Sequence, residues 1–127
     1  MEQQQNYLFH SEHLWVRKID DHHMLVGISN YAKGQLGDIV FVDFPDIGSE
    51  IVQGVPFGVV ESMKVVSDLI APVCGTVIET NEQLQEEIAL INEDPQGGGW
   101  ILRIKLTDPS QLSALLSDEQ YAALRDD

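Results

Sequence analysis

The chain has one cysteine, Cys74, among its 127 residues. A single thiol excludes an intramolecular disulfide and any multi-cysteine metal cluster, and it argues against a disulfide-stapled secreted domain. Positive charge is also scarce: 7 Lys plus Arg stand against 21 Asp plus Glu, giving a net charge of −14 and a pI near 4.3. So acidic a surface does not suit a nucleic-acid backbone or an anionic membrane, and its natural complement is a basic protein surface. Nowhere are there the ~18 consecutive apolar residues of a transmembrane helix. Met1-Glu2-Gln3-Gln4-Gln5-Asn6 lacks a basic region followed by an apolar one. A cytoplasmic, bacterial-type protein without a targeting segment is therefore expected, although a processed mitochondrial protein would share the feature. The remainder is ordinary globular material, 43% hydrophobic and 22% charged. It suffices for one core, and a single domain spanning 1–127 is expected.

Runs from Leu14 to Ile19 and from Met24 to Ile28 flank the polar Asp20-Asp21-His22-His23 and predict a hairpin. Ser29 predicts the N-cap of a short helix through Tyr31 and Leu36, with Gly37 as its stop. Asp38 to Phe44 is apolar on both faces, which predicts a central strand ended by Pro45. Short strands follow, punctuated by Gly48, Gly54, Pro56, Gly58, Pro72 and Gly75, as in a small sandwich or barrel. Gly54 and Gly75, like Pro56 and Pro72, lie at similar distances on either side of Lys64, which suggests two related strand units. Asn81 to Leu90 is helix-tolerant, and Asn92 to Gly99 is a loop by composition. Trp100, Leu102, Ile104 and Leu106 alternate with Ile101, Arg103 and Lys105, the two-residue period of a strand. A helical segment around 109–125 begins with Asp108 as cap, Pro109 at the first position and Gln111 beyond, and carries Leu112, Leu115 and Leu116 on one face. A second box, Ser117 with Gln120, restarts it and brings Tyr121 and Leu124 onto the core.

The segment that carries chemistry is Glu61-Ser62-Met63-Lys64-Val65-Val66-Ser67-Asp68. Two β-prone arms place Lys64 at the tip of a hairpin around 57–71, yet the turn lacks the Asn-Gly or Asp-Gly usual in tight hairpins. A local rule broken at one place points to function. For most lysines a solvated turn residue is the right reading, but this one belongs to a set of seven cations and has only Glu61 and Asp68 as near charges. Acidic neighbours favour the ammonium over the neutral amine that a Schiff-base or general-base lysine needs. An exposed lysine of this kind is a substrate for modification rather than a catalyst.

This segment, with Ala71-Pro72-Val73-Cys74-Gly75, resembles the lipoyl-lysine hairpin of the glycine cleavage system H protein family. The likeness extends through His13, Trp15 and Val16, Gly27-Ile28-Ser29, Gln35 to Val42, Pro56-Phe57-Gly58, Asn92-Glu93-Asp94-Pro95, Gly99-Trp100 and the C-terminal segment, covering nearly the whole chain. It implies a mainly β fold, a flattened lipoyl/biotinyl-type barrel-sandwich with short peripheral helices and a C-terminal helix. It further implies a non-catalytic carrier with lipoate amide-linked to Lys64. The carrier would take an aminomethyl group from the pyridoxal-phosphate glycine decarboxylase (P protein) to the tetrahydrofolate-dependent aminomethyltransferase (T protein), and electrons to dihydrolipoamide dehydrogenase (L protein). A lipoylating enzyme is a fourth partner. Glu61 resembles the position such enzymes read, Asp68 one near the site where the loaded arm folds back, and Gly75 a turn glycine near the motif. Where the family usually reads His-Glu-Trp this chain has His13-Leu14-Trp15. Leu14 removes the charge of that glutamate, which the resemblance associates with the cleft holding the loaded arm, so that site is weakened, supplied by Glu12, or absent.

Three other assignments compete, one of them an unmodified interaction domain. A biotin carrier shares Met63-Lys64, but Val65 replaces its second methionine. A lipoyl or octanoyl relay outside glycine catabolism is kept open by Leu14. His10, His13, His22 and His23 make no convincing metal set, since His22 and His23 are adjacent in a turn and point apart. Cys74 is expected to pack, and Gly97-Gly98-Gly99 precedes a strand, unlike a phosphate loop.

Overall fold

The computed structural model describes residues 7–10, 12–20, 22–107 and 109–125. Its strands are β1 (Tyr7–Phe9), β2 (Leu14–Lys18), β3 (His23–Ile28), β4 (Ile39–Asp43), β5 (Glu50–Ile51), β6 (Pro56–Ser62), β7 (Val66–Ile70), β8 (Gly75–Thr80) and β9 (Leu102–Leu106). Helices α1 (Asn30–Leu36), α2 (Gln83–Glu86) and α3 (Ala89–Glu93), a 3-10 turn (Pro109–Ala114) and α4 (Asp118–Arg125) lie between and after them. The strands make two antiparallel sheets, a six-stranded one ordered β1-β2-β3-β9-β8-β5 and a three-stranded one ordered β4-β6-β7. Between them Val16, Val26, Ile28, Ile39, Val60, Leu69, Val77 and Ile104 form one buried cluster. This is the expected flattened barrel-sandwich.

The expected hairpin forms from β2 and β3, with Leu14 opposite Ile28 and Lys18 opposite Met24. Ser29 caps α1 through its hydroxyl, which accepts the Ala32 amide at 3.0 Å, and Gly37 ends the helix at φ 87°. The Ser117–Gln120 box also closes, Ser117 N–H donating to Gln120 Oε1 at 3.0 Å and Gln120 N–H to Ser117 Oγ at 3.2 Å. Tyr121 is buried as expected. The Asp108 cap and the Leu124 side chain lie outside the described residues.

Four expectations are corrected. β4 is an edge strand, pairing only with β6, and Val40 and Phe41 remain about half exposed. A register shift between Ile39 and Phe41 turns these side chains outward, while Ile39 and Val42 face the core. The apolar run therefore reflected an irregular edge rather than burial on two faces. The helix after Pro109 is a 3-10 turn before α4 takes over. α3 reaches Glu93, into the segment expected to be loop. Gly75 is not in a turn: it lies in β8, where a Cβ would stand 2.8 Å from the Lys105 carbonyl oxygen, so close strand approach demands glycine there. Gly54, its presumed counterpart, sits instead at φ 85° in a turn. Thus these two glycines have different roles even though the chain folds back on itself around Lys64, with β5 pairing to β8 outside the β6–β7 hairpin.

Candidate functional site

β6 and β7 pair with Glu61 opposite Val66, Val60 opposite Ser67 and Val59 opposite Asp68. The turn between them is built by Ser62. Its amide donates to the Val65 carbonyl at 2.8 Å, and its hydroxyl oxygen accepts the Lys64 amide at 3.1 Å and the Val65 amide at 3.0 Å. A serine-centred turn replaces the missing Asn-Gly and needs no left-handed residue. Met63 N–H donates to the Asp38 carbonyl at 2.9 Å and ties the turn to the segment leading into β4.

Lys64 is exposed at the tip, as are Met63, Val65 and Val66, with Met63 reaching 75%. Its aliphatic stem crosses Gly37, where a Cβ would lie 3.3 Å from Lys64 Cε. Leu36, the residue before Gly37, lines a cleft of about 180 Å³. Its apolar lining is Leu14, Ile28, Ala32, Leu36, Val60 and Leu69, and its polar lining is Glu12, His13, Gln35, Ser67 and Asp68.

The structure puts Glu12 and Asp68 together on this cleft, while Lys64 stands outside its lining, with its stem on Gly37 next to the lining residue Leu36. Glu61 is half-buried on β6, one residue before the turn begins. Gly75 belongs to the six-stranded sheet and not to the hairpin. Leu14, buried at 3%, puts a hydrocarbon surface in the cleft. Sequence reasoning missed Gly37 as the seat of the lysine stem. A glycine at a helix stop gave no signal beyond its cap role, because its second neighbour comes from a hairpin 27 positions along.

The other tempting groups are structural. Asp20 accepts the His22 and His23 amides at 2.9 Å each, and its carboxylate meets the His23 ring at 2.9 Å. Burial lowers the His10 pKa, and His10 Nδ1 accepts the Glu12 amide at 3.0 Å. Among the described residues no group of three His, Cys, Asp or Glu is placed to hold a metal. Cys74 is tied down by Gln111, whose side-chain oxygen accepts the Cys74 amide at 2.6 Å. A larger cavity of about 270 Å³ between β4 and α2 is lined by Phe41, Phe44, Leu84 and Ile88 and does not include the hairpin tip.

A flattened β-sandwich presenting one lysine on a pinned hairpin turn defines the lipoyl/biotinyl class of carrier folds. The family model described as "Glycine cleavage H-protein" matches residues 7–127. A glycine cleavage system H protein of Clostridioides difficile is 50% identical over 115 residues, 91% of either chain. One from Aliivibrio salmonicida is 49% identical over 113 residues, 89% of this chain and 90% of its own. The crystal structure of such a protein from Mycobacterium marinum superposes with a TM-score of 0.87 at 34% identity, covering 97% of this chain and 98% of that one. The chain belongs to the glycine cleavage H-protein family.

Proposed function

We propose that this chain is the non-catalytic lipoyl carrier of a glycine cleavage system, with Lys64 as the attachment residue. The observation that carries the reading is the exposed Lys64 on the Ser62-built turn, its stem seated on Gly37 next to the cleft residue Leu36. These residues fit a lysine-linked arm: the amine is open to a lipoylating enzyme, the glycine leaves room for the stem, and the cleft offers an apolar lining. Attached there, lipoate supplies a dithiolane that accepts an aminomethyl group together with two electrons. The chain's own part is presentation. Ser62 and Met63 fix the turn, Gly37 leaves the stem uncrowded, and Glu12 and Asp68 put carboxylates on the cleft. Glu61 is the residue assigned to lipoylating-enzyme recognition.

The partners are the glycine decarboxylase, the aminomethyltransferase, dihydrolipoamide dehydrogenase and the lipoylating enzyme. Each must bind and leave in turn. A net charge of −14 suits this, because long-range attraction speeds encounter more than it tightens the docked complex. Once a partner is docked, the tether makes delivery effectively intramolecular.

The test is intact-mass analysis of protein from its native host, with peptide mapping of the hairpin, followed by glycine decarboxylation with the cognate enzymes. One lipoyl group on Lys64 and restored decarboxylation are expected. An unmodified lysine, even with lipoylating enzyme and lipoate supplied, overturns the reading. Lipoylation without glycine decarboxylation favours a relay role, which Leu14 on the cleft wall keeps in view.

A further inference from the structure

Between β1 and β2 the chain turns at His10 and His13. His13 N–H donates to the His10 carbonyl and His10 N–H to the Leu14 carbonyl, both at 2.8 Å. Such a turn needs a left-handed residue at its end, and His13 supplies it with φ 74°, the only non-glycine residue at positive φ among those described. Glycine would adopt this conformation without strain, so a side chain kept there calls for a use.

The ring has one. His13 Nδ1 lies 2.7 Å from the hydroxyl of Tyr121 on α4. The same hydroxyl lies 2.6 Å from Ser29 Oγ, the cap of α1. Ser29 N–H in turn donates to the His13 carbonyl at 2.9 Å. Tyr121 is itself held by packing, 2% exposed with its ring stacked on Phe9 at 4.5 Å. One phenol oxygen therefore joins two segments that line the cleft: Glu12-His13-Leu14, and α1 with Ala32, Gln35 and Leu36.

We infer that Tyr121 is a positioning residue of the cleft, its hydroxyl clamping His13 to the start of α1 and so holding the shape that receives the lysine-borne arm. What occupies the cleft rests on the carrier reading. The clamp itself belongs to the unmodified chain. Through it α4, which carries no residue of the hairpin, acts on the arm.

The test uses the full chain as wild type, Tyr121→Phe and His13→Gly. In unmodified protein, amide exchange at Ser29 and Ala32 is expected to rise about fivefold in both variants, the order of one hydrogen bond lost, while Val77 and Ile104 keep wild-type rates. In lipoylated protein loaded with the aminomethyl group, alkylation of the arm's one free thiol by iodoacetamide is expected to rise by a similar factor, about fivefold. His13→Gly also removes the left-handed strain. Faster alkylation in a variant whose melting temperature has not fallen separates clamping from general stability. If Tyr121→Phe does not fold, His13→Gly carries both readouts. Unchanged exchange at Ser29 and Ala32 overturns the clamp, and so does faster exchange with unchanged alkylation. If the wild type accepts no lipoyl group, the carrier reading fails, and the exchange rates alone decide the clamp.

Discussion

The Lys64 end of the three-stranded sheet and the aromatic base of the six-stranded sheet are built on opposite terms. At the lysine end Met63, Val65 and Val66 are exposed, and the turn is held by hydrogen bonds of Ser62 and Met63 rather than by packing. At the base Phe9, Trp15, Leu25 and Tyr121 form a second buried cluster. There the Trp15 indole N–H donates to the Pro95 carbonyl at 2.9 Å, and Gly27 lies flush beneath the ring. Packing density makes the base intolerant of volume change, while the tip has little packing to lose. Stability and presentation thus rest largely on different residues, with Tyr121, whose ring packs in the base and whose hydroxyl reaches the cleft segments, belonging to both.

The largest expected effect is at the tip. Lys64→Arg keeps the charge and a similar stem but removes the amine that a lipoyl amide requires, so modification and carrier activity should fall below detection in an intact-mass and decarboxylation assay. Its melting temperature should stay within about 2 °C of wild type, as for an exposed surface substitution. A variant that does not fold would break the division between the two regions.

Gly27→Ala tests the other side. Its new Cβ would stand 2.7 Å from Trp15 ring carbons, with the indole already fixed by Pro95. Overpacking of this kind costs about 1–3 kcal/mol and should appear as a loss of several degrees in a thermal melt. Lipoylation of the folded fraction should proceed at the wild-type rate.

Ser62→Ala lies between these extremes. It leaves the Lys64 and Val65 amides without their side-chain acceptor, an exposed loss of about 0.5–1.5 kcal/mol. The lipoylation rate should fall more than the melting temperature, because the lysine is no longer presented in one geometry. Equal changes in both would make Ser62 an ordinary turn residue.

How far each region was legible follows from the same contrast. The hairpin of β2 and β3, the Ser29 and Ser117 caps and the β9 alternation are set by local pattern, and they stand where local pattern puts them. β4 misled because an apolar edge strand with a bulge has the same composition as a buried strand, and only its partners distinguish the two. Gly75 misled because glycine signals a turn locally, whereas its reason here is the Lys105 carbonyl of a neighbouring strand. Lys64 was legible because its motif is contiguous. The cleft was only partly so: Glu12 and Asp68 were singled out, but Gly37, Ser29 and Tyr121 act through contacts between segments far apart in sequence.

The smallest expected effect concerns an exposed turn of the larger sheet, and it asks whether that region's influence ends at its packed core. Asp20 has its pKa lowered from 3.8 to about 2, first by the His23 ring and then by the His22 and His23 amides. A carboxyl whose folded pKa lies below its unfolded value stabilises the fold above the unfolded value, and that contribution is lost as pH falls toward the folded one. Here the window runs from about pH 4 down to about pH 2. Asp20→Asn should be slightly less stable than wild type at pH 7, with the two curves converging across this window as wild type loses the carboxylate's contribution. Because the group is solvent-exposed, salt should shrink the difference. Acid-titrated melts at low and high ionic strength measure it, and Lys64 modification at neutral pH should be unchanged. Parallel melting curves down to pH 2 would mean that the turn is held by backbone geometry alone, confining the stabilising role of the larger sheet to its buried aromatic and aliphatic residues.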